Sequence, residues 1–157
     1  MTQKIAYFLA LLFAVLTFAP AAAHLLELMN KMTLGQADYF VVQQIYRGWA
    51  LLGIVVIGGL VSSLALTVVL RKRQGPFLWA LGAFLCALAS HLVFWIWTYP
   101  ANRATENWTR VPANWEELRL QWEYGHAGGA VLGLFAVVAL ICSLLAALAD
   151  TERKLSG

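Results

Sequence analysis

The sequence predicts an all-α polytopic membrane protein, a bundle of four transmembrane helices. Of its 157 residues, 61% are hydrophobic and only 12% are charged, too few charged side chains to cover a soluble surface. The apolar residues fall into four stretches of about the ~20 residues that a helix needs to cross the hydrocarbon core. These stretches are continuous rather than alternating, which favours helices over a β-barrel. The same composition excludes a disordered tail, a disulfide-rich secreted domain and a basic nucleic-acid binder.

The four predicted spans form one domain that comprises residues 1–157. They cover residues 5–23, 48–70, 77–99 and 127–149. A loop of about six residues joins the second span to the third, whereas the segments 25–47 and 100–125 on the other side are long and polar. We therefore expect any elaborate structure to lie at the end of the bundle that holds these two long segments.

The distribution of Lys and Arg predicts that both termini are cytoplasmic, because cytoplasmic loops retain more positive charge than translocated ones. The end of the bundle with the termini carries six basic and two acidic residues. The opposite end carries five basic and six acidic residues. We therefore expect a cell-membrane protein whose long segments lie on the non-cytoplasmic side.

The first span also matches a secretory signal peptide, since Lys4 precedes an apolar run that ends in three alanines before His24. Cleavage after Ala23 would leave three spans and a new N-terminus at His24, whose amino group and imidazole together could chelate copper. The apolar run leads without a clear break into a second helical pattern, which favours retention of residues 1–23.

All three histidines lie inside or at the edge of a predicted span, where ionisable groups are costly and are as a rule paired or functional. His24 precedes Glu27 by three residues, and Glu123 precedes His126 by three residues, so each pair shares a helix face about one turn apart. Because the two helices run in opposite directions, we expect two imidazoles at one level and two carboxylates at the next. His91, ~12 Å below the outer end of the third span, would add a third imidazole.

Three imidazoles and two carboxylates predict a metal site, since nitrogen and oxygen ligands suit iron, copper or zinc, of which iron or copper is expected here. A haem is the alternative, because two histidines from different spans could ligate one iron axially. In a third interpretation there is no cofactor, and the glutamates form ion pairs with Arg47 and Arg119 while the histidines hydrogen-bond to nearby groups. The predicted metal ligands are His24, Glu27, His91, Glu123 and His126.

Six of the seven tryptophans lie in or near the outer half of the predicted bundle. An aromatic belt at the membrane interface accounts for most of them. A belt needs only a few, so we expect others to line a pocket for a flat ligand. The predicted substrate-binding residues are Trp122, Trp95, Tyr46, Arg47 and Trp115.

The start of the fourth span resembles a known family. The stretch Leu118-Arg119-x-x-Trp122-Glu123-x-x-His126, preceded by Pro100-x-Asn102 and a Trp-rich segment, is similar to a four-span integral membrane family, largely of unknown function, that includes the anthrone oxygenases of polyketide pathways. The resemblance implies oxidation of an activated aromatic carbon by dioxygen, with matching positions at Asn102, Arg119, Trp122 and His126. Family members often carry an arginine three residues after the histidine, where this chain has Gly129, a departure that argues against a polyketide substrate.

These observations together predict a small membrane oxidase or oxygenase acting on a hydrophobic, aromatic or quinol-like substrate, with or without a metal. His126 would act as base or ligand, Glu123 as its partner, and Arg119 as donor to a developing oxyanion. Asn102 joins this catalytic set through the resemblance. Two alternatives stay open: a bis-histidine haem or quinone-linked electron carrier, and a non-enzymatic membrane binding or assembly subunit. The expected partners are the bilayer and a hydrophobic small molecule but no nucleic acid, and a homo-oligomer is left open.

Overall fold

The computed structural model confirms the predicted class, a helical bundle with four helices long and apolar enough to cross a membrane. The structure describes residues 2–156, with side chains for residues 2–153, so the side chain of Lys154 lies outside the described part. No strand occurs in residues 2–156. The helices are α1 (Thr2–Met32), α2 (Gln36–Gln43), α3 (Leu52–Leu70), α4 (Gln74–Val93), α5 (Tyr99–Ala104) and α6 (Trp115–Ser156).

Short irregular turns complete the chain between these helices. Two 3₁₀ turns, Gln44–Tyr46 and Trp49–Leu51, link α2 to α3, and a π-helical segment, Phe94–Thr98, links α4 to α5. The candidate membrane spans are Thr2–Met32, Trp49–Leu70, Gln74–Ala104 and Trp115–Arg153. At the end of the bundle that holds the termini, the boundaries of all four spans lie close to the predicted ones. At the opposite end, the first, third and fourth spans are longer than predicted.

The four long helices pack in a ring in which each contacts two neighbours. Helix α1 packs against α3 and α6, and α4 packs against the same two helices. Small side chains such as Ala80, Ala83 and Ala139 lie in the buried core and let the helices approach closely. The hydroxyl of Tyr7 donates to the Ser143 carbonyl at 2.9 Å, tying α1 to α6 near the termini. Large apolar residues on the outside of the bundle are exposed, as a surface in contact with lipid requires.

Two helices are much longer than the bilayer core is thick. Helix α1 has 31 residues and α6 has 42, which correspond to about 46 and 63 Å against a hydrocarbon core of about 30 Å. At the end opposite the termini, their extra turns join α2, the α2–α3 connection, α5 and residues 105–114 in a structure that we call the cap. A second apolar cluster fills the cap, formed by Tyr39, Ala101, Trp108, Leu118 and Trp122.

The π-helical segment Phe94–Thr98 has a local cause in the sequence. Pro100 follows it, and a proline has no amide hydrogen while its ring clashes with the carbonyl four residues earlier. The wider π turn accommodates this ring, and the Tyr99 amide donates to the carbonyl of Phe94, five residues earlier. The third span therefore changes from an α-helix to a π-helix over Phe94–Thr98, where it enters the cap.

Helix α6 contacts this π-helical segment through a glycine. The carbonyl of Trp97 accepts a hydrogen bond from Gln121 Nε2 at 2.8 Å. A Cβ atom on Gly125, one turn further along α6, would lie only 2.7 Å from Thr98 Oγ1. Thr98 is 1% exposed, so its side chain has little freedom to move away. Gly125 thus sets how closely the third and fourth spans approach each other below the cap.

We predict that Gly125→Ala destabilises the protein by ~1–3 kcal/mol, because the added methyl group overlaps the buried Thr98 hydroxyl. Gly128→Ala is the matched control, since a Cβ there has nothing within 4 Å and alanine is the better helix former. Thermal unfolding in detergent micelles, followed by circular dichroism, measures both. Equal melting temperatures for the two variants would contradict the assigned contact.

Candidate functional site

Two histidines from the first and fourth spans meet just below the cap. The rings of His24 and His126 stack with their centroids 4.2 Å apart and their planes 28° apart. His24 is 5% exposed, and its Nδ1 atom is buried without a hydrogen-bond partner in the described structure. His126 is partly exposed. The pair therefore has one enclosed ring and one ring that a molecule entering from outside could reach.

Aromatic side chains surround the two imidazoles. The Tyr46 and Trp49 rings lie 4.6 and 5.6 Å from the His24 ring. The Trp122 ring lies 5.0 Å from His24 and 4.2 Å from His126, so it touches both. These rings come from the α2–α3 connection and from α6, which places the histidine pair in an apolar, aromatic environment.

A buried ion pair lies one helix turn further into the cap. Lys31 Nζ is 3.0 Å from Glu123 Oε1, and the two side chains are 4% and 0% exposed. The same oxygen accepts hydrogen bonds from the Tyr39 hydroxyl at 2.9 Å and from Gln43 Nε2 at 3.4 Å. Helix α2 supplies both donors, so the carboxylate of α6 holds α2 against the bundle. The other oxygen, Glu123 Oε2, is buried with no hydrogen-bond partner in the described structure.

The ion pair connects to a second carboxylate that is nearer the surface. Lys31 Nζ is 3.5 Å from Glu27 Oε2 and donates to the Tyr46 hydroxyl at 3.1 Å. The Tyr46 hydroxyl in turn donates to Glu27, whose side chain is 38% exposed. Hydrogen bonds and ion pairs therefore run without a gap from the partly exposed Glu27 through Tyr46 and Lys31 to the buried Glu123.

Asn102 positions the tryptophan that covers the histidines. Its Oδ1 atom accepts hydrogen bonds from Trp122 Nε1 at 2.7 Å and from Trp108 Nε1 at 3.2 Å. A carbonyl oxygen has two lone pairs, so both are used. Trp108 reaches Asn102 because Glu106, Asn107 and Trp108 all have positive φ, between 49° and 63°. Such a run is unfavourable for residues other than glycine, and here it turns the Trp108 ring back into the cap.

Arg119 lies in the cap, two turns of α6 before His126. Its Nη1 atom donates to the Leu34 carbonyl at 2.9 Å. Its guanidinium lies 4.7 Å from the Trp115 ring and 5.5 Å from the Tyr39 ring, distances typical of cation–π contacts. These contacts connect α6 to the segment between α1 and α2.

Burial and negative charge raise the pKa of two tyrosines in the cap far above the ordinary value of 10.0. For Tyr39 the causes are burial first, then the charge of Glu123 and the hydrogen bond to it. For Tyr46 they are burial first, then the hydrogen bond to Glu27 and its charge. Both phenols therefore stay protonated and keep donating to their carboxylates at any ordinary pH.

The structure brings together some of the predicted site residues and separates others. His24 and His126 are in contact, and Glu27 and Glu123 both contact Lys31. His91 lies elsewhere, where its Nε2 atom accepts a hydrogen bond from Trp95 Nε1 at 2.9 Å. Neither glutamate forms the ion pair with Arg47 or Arg119 that the cofactor-free interpretation expected.

The remaining predicted residues lie in the cap or on its surface. Trp115 packs in the cap beside Arg119, and Arg47 donates to Gln44 Oε1 at 2.9 Å on the surface. Arg47 also lines an open groove of about 420 Å³ on the cap, together with Phe40, Val41, Gln44, Trp108, Thr109 and Val111. Of the predicted substrate-binding side chains, only Tyr46 and Trp122 contact the histidine pair.

The predicted metal ligands do not come together as one set among the described residues. Among the described residues, no group of three or more His, Cys, Asp or Glu side chains is placed so that it could hold a metal ion. The two adjacent imidazoles are stacked, and the lone pairs of stacked rings lie in nearly parallel planes instead of converging on one ion. Binding of iron, copper or haem by this chain stays a prediction.

Sequence reasoning missed Lys31, Tyr39 and Gln43 as members of the site. Lys31 follows His24 by seven residues and Glu27 by four, the spacing of a single helix face. That signal was present, but the first span was predicted to end at residue 23, so Lys31 was assigned to the long segment 25–47 outside it. Tyr39 and Gln43 are also four residues apart, on α2, yet nothing in the sequence connects them to Glu123, 80 or more residues away.

Comparison of the chain with models of known protein families, with curated proteins and with solved structures finds no match. The resemblance to the family of the anthrone oxygenases therefore stays a prediction.

We predict that Lys31→Met destabilises the protein by ~3–5 kcal/mol, because it leaves the Glu123 carboxylate buried without its cation. The double variant Lys31→Met/Glu123→Gln should recover much of this loss, since the only carboxylate that then lacks the Lys31 cation is the partly exposed Glu27. Arg110→Met, which breaks the exposed Arg110–Glu106 pair, is the control and should change little. Unfolding in detergent micelles measures these three variants and the single variant Glu123→Gln. A loss in the double variant equal to the sum of the single losses would show that the two charges are not coupled.

We predict that wild-type stability falls above about pH 10 more steeply than that of Tyr39→Phe. The folded-state pKa of Tyr39 is raised, so above pH 10.0 the unfolded chain releases a proton that the folded chain keeps. The contribution of this phenol is thus complete below its unfolded pKa and is lost as the pH rises. Tyr39→Phe should be less stable than the wild type at pH 8, because Glu123 loses a donor, yet its stability should change less between pH 8 and pH 11. Parallel pH profiles would contradict the assignment.

Proposed function

We propose that this protein is an integral membrane oxidase or oxygenase that acts on a hydrophobic, aromatic or quinol-like substrate at His24 and His126. The single observation that supports the proposal is the stacked imidazole pair inside an aromatic wall, next to a buried carboxylate. The three aromatic rings next to the pair, Tyr46, Trp49 and Trp122, favour a flat apolar molecule over a polar one. The substrate would enter from the bilayer, where such molecules concentrate.

In this proposal His126 is the base, because it is the member of the pair that an entering molecule can reach. It would remove a proton from an acidic C–H bond flanked by aryl or carbonyl groups, or from a phenol. Two imidazolium ions stacked at 4.2 Å would repel each other strongly, so the pair takes up one proton at a time. Glu123 lies one turn away on the same helix, where its carboxylate is paired with Lys31.

Dioxygen is the proposed oxidant. A CH₂ group between two activating groups would react with O₂ to give a C=O group and one molecule of water, so that one oxygen atom enters the product and the other leaves as water. The carbon is oxidised by four electrons and dioxygen is reduced by the same four. The first C–H bond breaks by proton transfer to His126, and the resulting carbanion is the species that reacts with O₂.

Asn102 and Arg119 serve as positioning residues in this scheme. Asn102 holds Trp122, whose ring touches both histidines. Arg119 donates to the Leu34 carbonyl and packs on Trp115 and Tyr39, so it orders the cap above the site. We also propose that the cap faces the non-cytoplasmic side, as the distribution of basic residues predicts.

A non-enzymatic binding role is the second candidate. The open groove on the cap favours it, because Arg47 lies there among apolar side chains and a ligand with an anionic group and an apolar body would fit such a surface. A bis-histidine haem or quinone-linked electron carrier is the third candidate, and an absorption spectrum separates it from the others.

The experiment is oxygen uptake by the purified protein in lipid nanodiscs with an anthrone-type probe, a tricyclic compound whose CH₂ lies between two aryl rings. We predict that the wild type consumes oxygen and that His126→Gln lowers kcat by ~10²–10⁴-fold, the usual contribution of a general base. Tyr124→Phe is the control, since Tyr124 is 58% exposed on the same helix and should leave the rate unchanged.

Metal analysis and an absorption spectrum of the same sample complete the test. A Soret band would favour the haem protein, and iron or copper without that band would favour a metal-dependent oxidase. Absence of oxygen uptake from a folded, monodisperse sample with this probe and with a benzoquinol would contradict the enzymatic proposal and leave the binding role.

A further inference from the structure

His91 lies on the third span, apart from the histidine pair, and is held by one specific hydrogen bond. Trp95, one turn further along the helix, donates from Nε1 to His91 Nε2 at 2.9 Å. The two rings meet edge to face with centroids 6.0 Å apart. This contact fixes both the orientation of the imidazole and the nitrogen that carries its proton.

The tautomer follows from the direction of that bond. Because Nε2 accepts the indole N–H, it carries no hydrogen, so the imidazole N–H must be on Nδ1. Within the part of the chain whose side chains are described, no acceptor is hydrogen-bonded to Nδ1. The chain therefore presents an oriented N–H donor whose partner must come from outside the described residues.

This donor lies on the third span, well away from both of its ends. His91 is 17 residues from Gln74 and 13 residues from Ala104, the ends of that candidate span, which corresponds to about 25 and 20 Å. His91 is partly exposed, and its neighbours Leu92 and Trp95 are 50% and 49% exposed. An N–H group without an acceptor is unfavourable at this depth, because no bulk water is available to bond it.

Aromatic residues next to His91 form a continuous apolar surface. The Trp95 ring packs on Tyr99 at 4.7 Å and on Phe94 at 5.6 Å. Trp95 and Tyr99 follow His91 at intervals of four residues, so all three lie along one side of the third span. A molecule bonded to Nδ1 would therefore have an apolar aromatic surface beside it.

We propose that His91 and Trp95 form a binding site for a carbonyl oxygen presented from the bilayer. His91 Nδ1–H donates to that oxygen, and Trp95 acts as the positioning residue that keeps the hydrogen on Nδ1. The carbonyl belongs either to the ester of a membrane lipid or to a lipophilic ketone or quinone. The site is independent of the stacked pair and of its proposed chemistry.

Solid-state NMR on the full chain with ¹⁵N-labelled histidine tests the site. In one arm the protein is in diester phosphatidylcholine vesicles whose ester carbonyls carry ¹³C. In the other arm it is in diether phosphatidylcholine vesicles, which have no carbonyl, with an added ¹³C-carbonyl benzoquinone bearing a decyl chain. His91→Leu identifies the His91 resonances by their loss. We predict that His91 Nδ1 is protonated and that its resonance is dephased by ¹³C in at least one arm.

The two arms separate the sources of the carbonyl group. Dephasing in the diester arm assigns the lipid ester, and dephasing only in the diether arm assigns the free carbonyl compound. Absence of dephasing in both arms, or a proton on Nε2 in the wild type, would overturn the proposal.

Two tryptophan variants test the positioning role of Trp95. Trp95→Phe keeps a ring but removes the indole donor, so part of the His91 signal should move to the Nε2-protonated form and the dephasing at Nδ1 should decrease. Trp79→Phe is the control. Trp79 is on α4, about three turns before His91, and its exposure of 48% is similar to that of Trp95. An unchanged tautomer in Trp95→Phe would overturn the role assigned to Trp95.

Discussion

The contact between Lys31 and Glu123 holds the two halves of the site together. Two charged side chains that are almost fully buried are unfavourable unless each finds its partner, so this pair constrains everything around it. The pair forms only because α1 continues as far as Lys31 and α6 begins before Glu123. Tyr39 and Gln43 on α2 then donate hydrogen bonds to the carboxylate. The position of the cap, and with it the aromatic wall around the two histidines, follows from satisfying these two charges.

The same constraint explains why the polar groups are arranged in levels. His24 precedes Glu27 on α1, whereas Glu123 precedes His126 on the antiparallel α6. The two histidines therefore lie at one level of the bundle and the two glutamates at the next. Two imidazoles can stack, but two carboxylates at one level need a cation between them. Lys31 lies within 3.5 Å of both carboxylates and meets that need. The hydroxyl of Tyr46, whose raised pKa keeps it protonated, completes the connection on the Glu27 side.

The bundle could be predicted from the sequence because hydrophobic length alone decides whether a helix spans a bilayer. The placement of His24 with Glu27, and of Glu123 with His126, one turn apart on one face of a helix could also be predicted, since it follows from local spacing. The role of Lys31 could not be predicted from a first span that ends at Ala23, because Lys31 reaches Glu123 only when α1 continues to Met32. The separate position of His91 could not be predicted, because a residue's depth in the membrane does not say which side of its helix faces the other spans.

The stacked histidines come from the first and the last spans of the chain. His24, Glu27 and Lys31 enter the membrane early in synthesis, whereas their partners on α6 emerge about one hundred residues later. Until then, the first span carries polar side chains whose lasting contacts do not yet exist. The site can consequently assemble only after the fourth span has been made, and a chain truncated or stalled before that point would present these groups to the lipid, to the insertion machinery or to quality-control proteases.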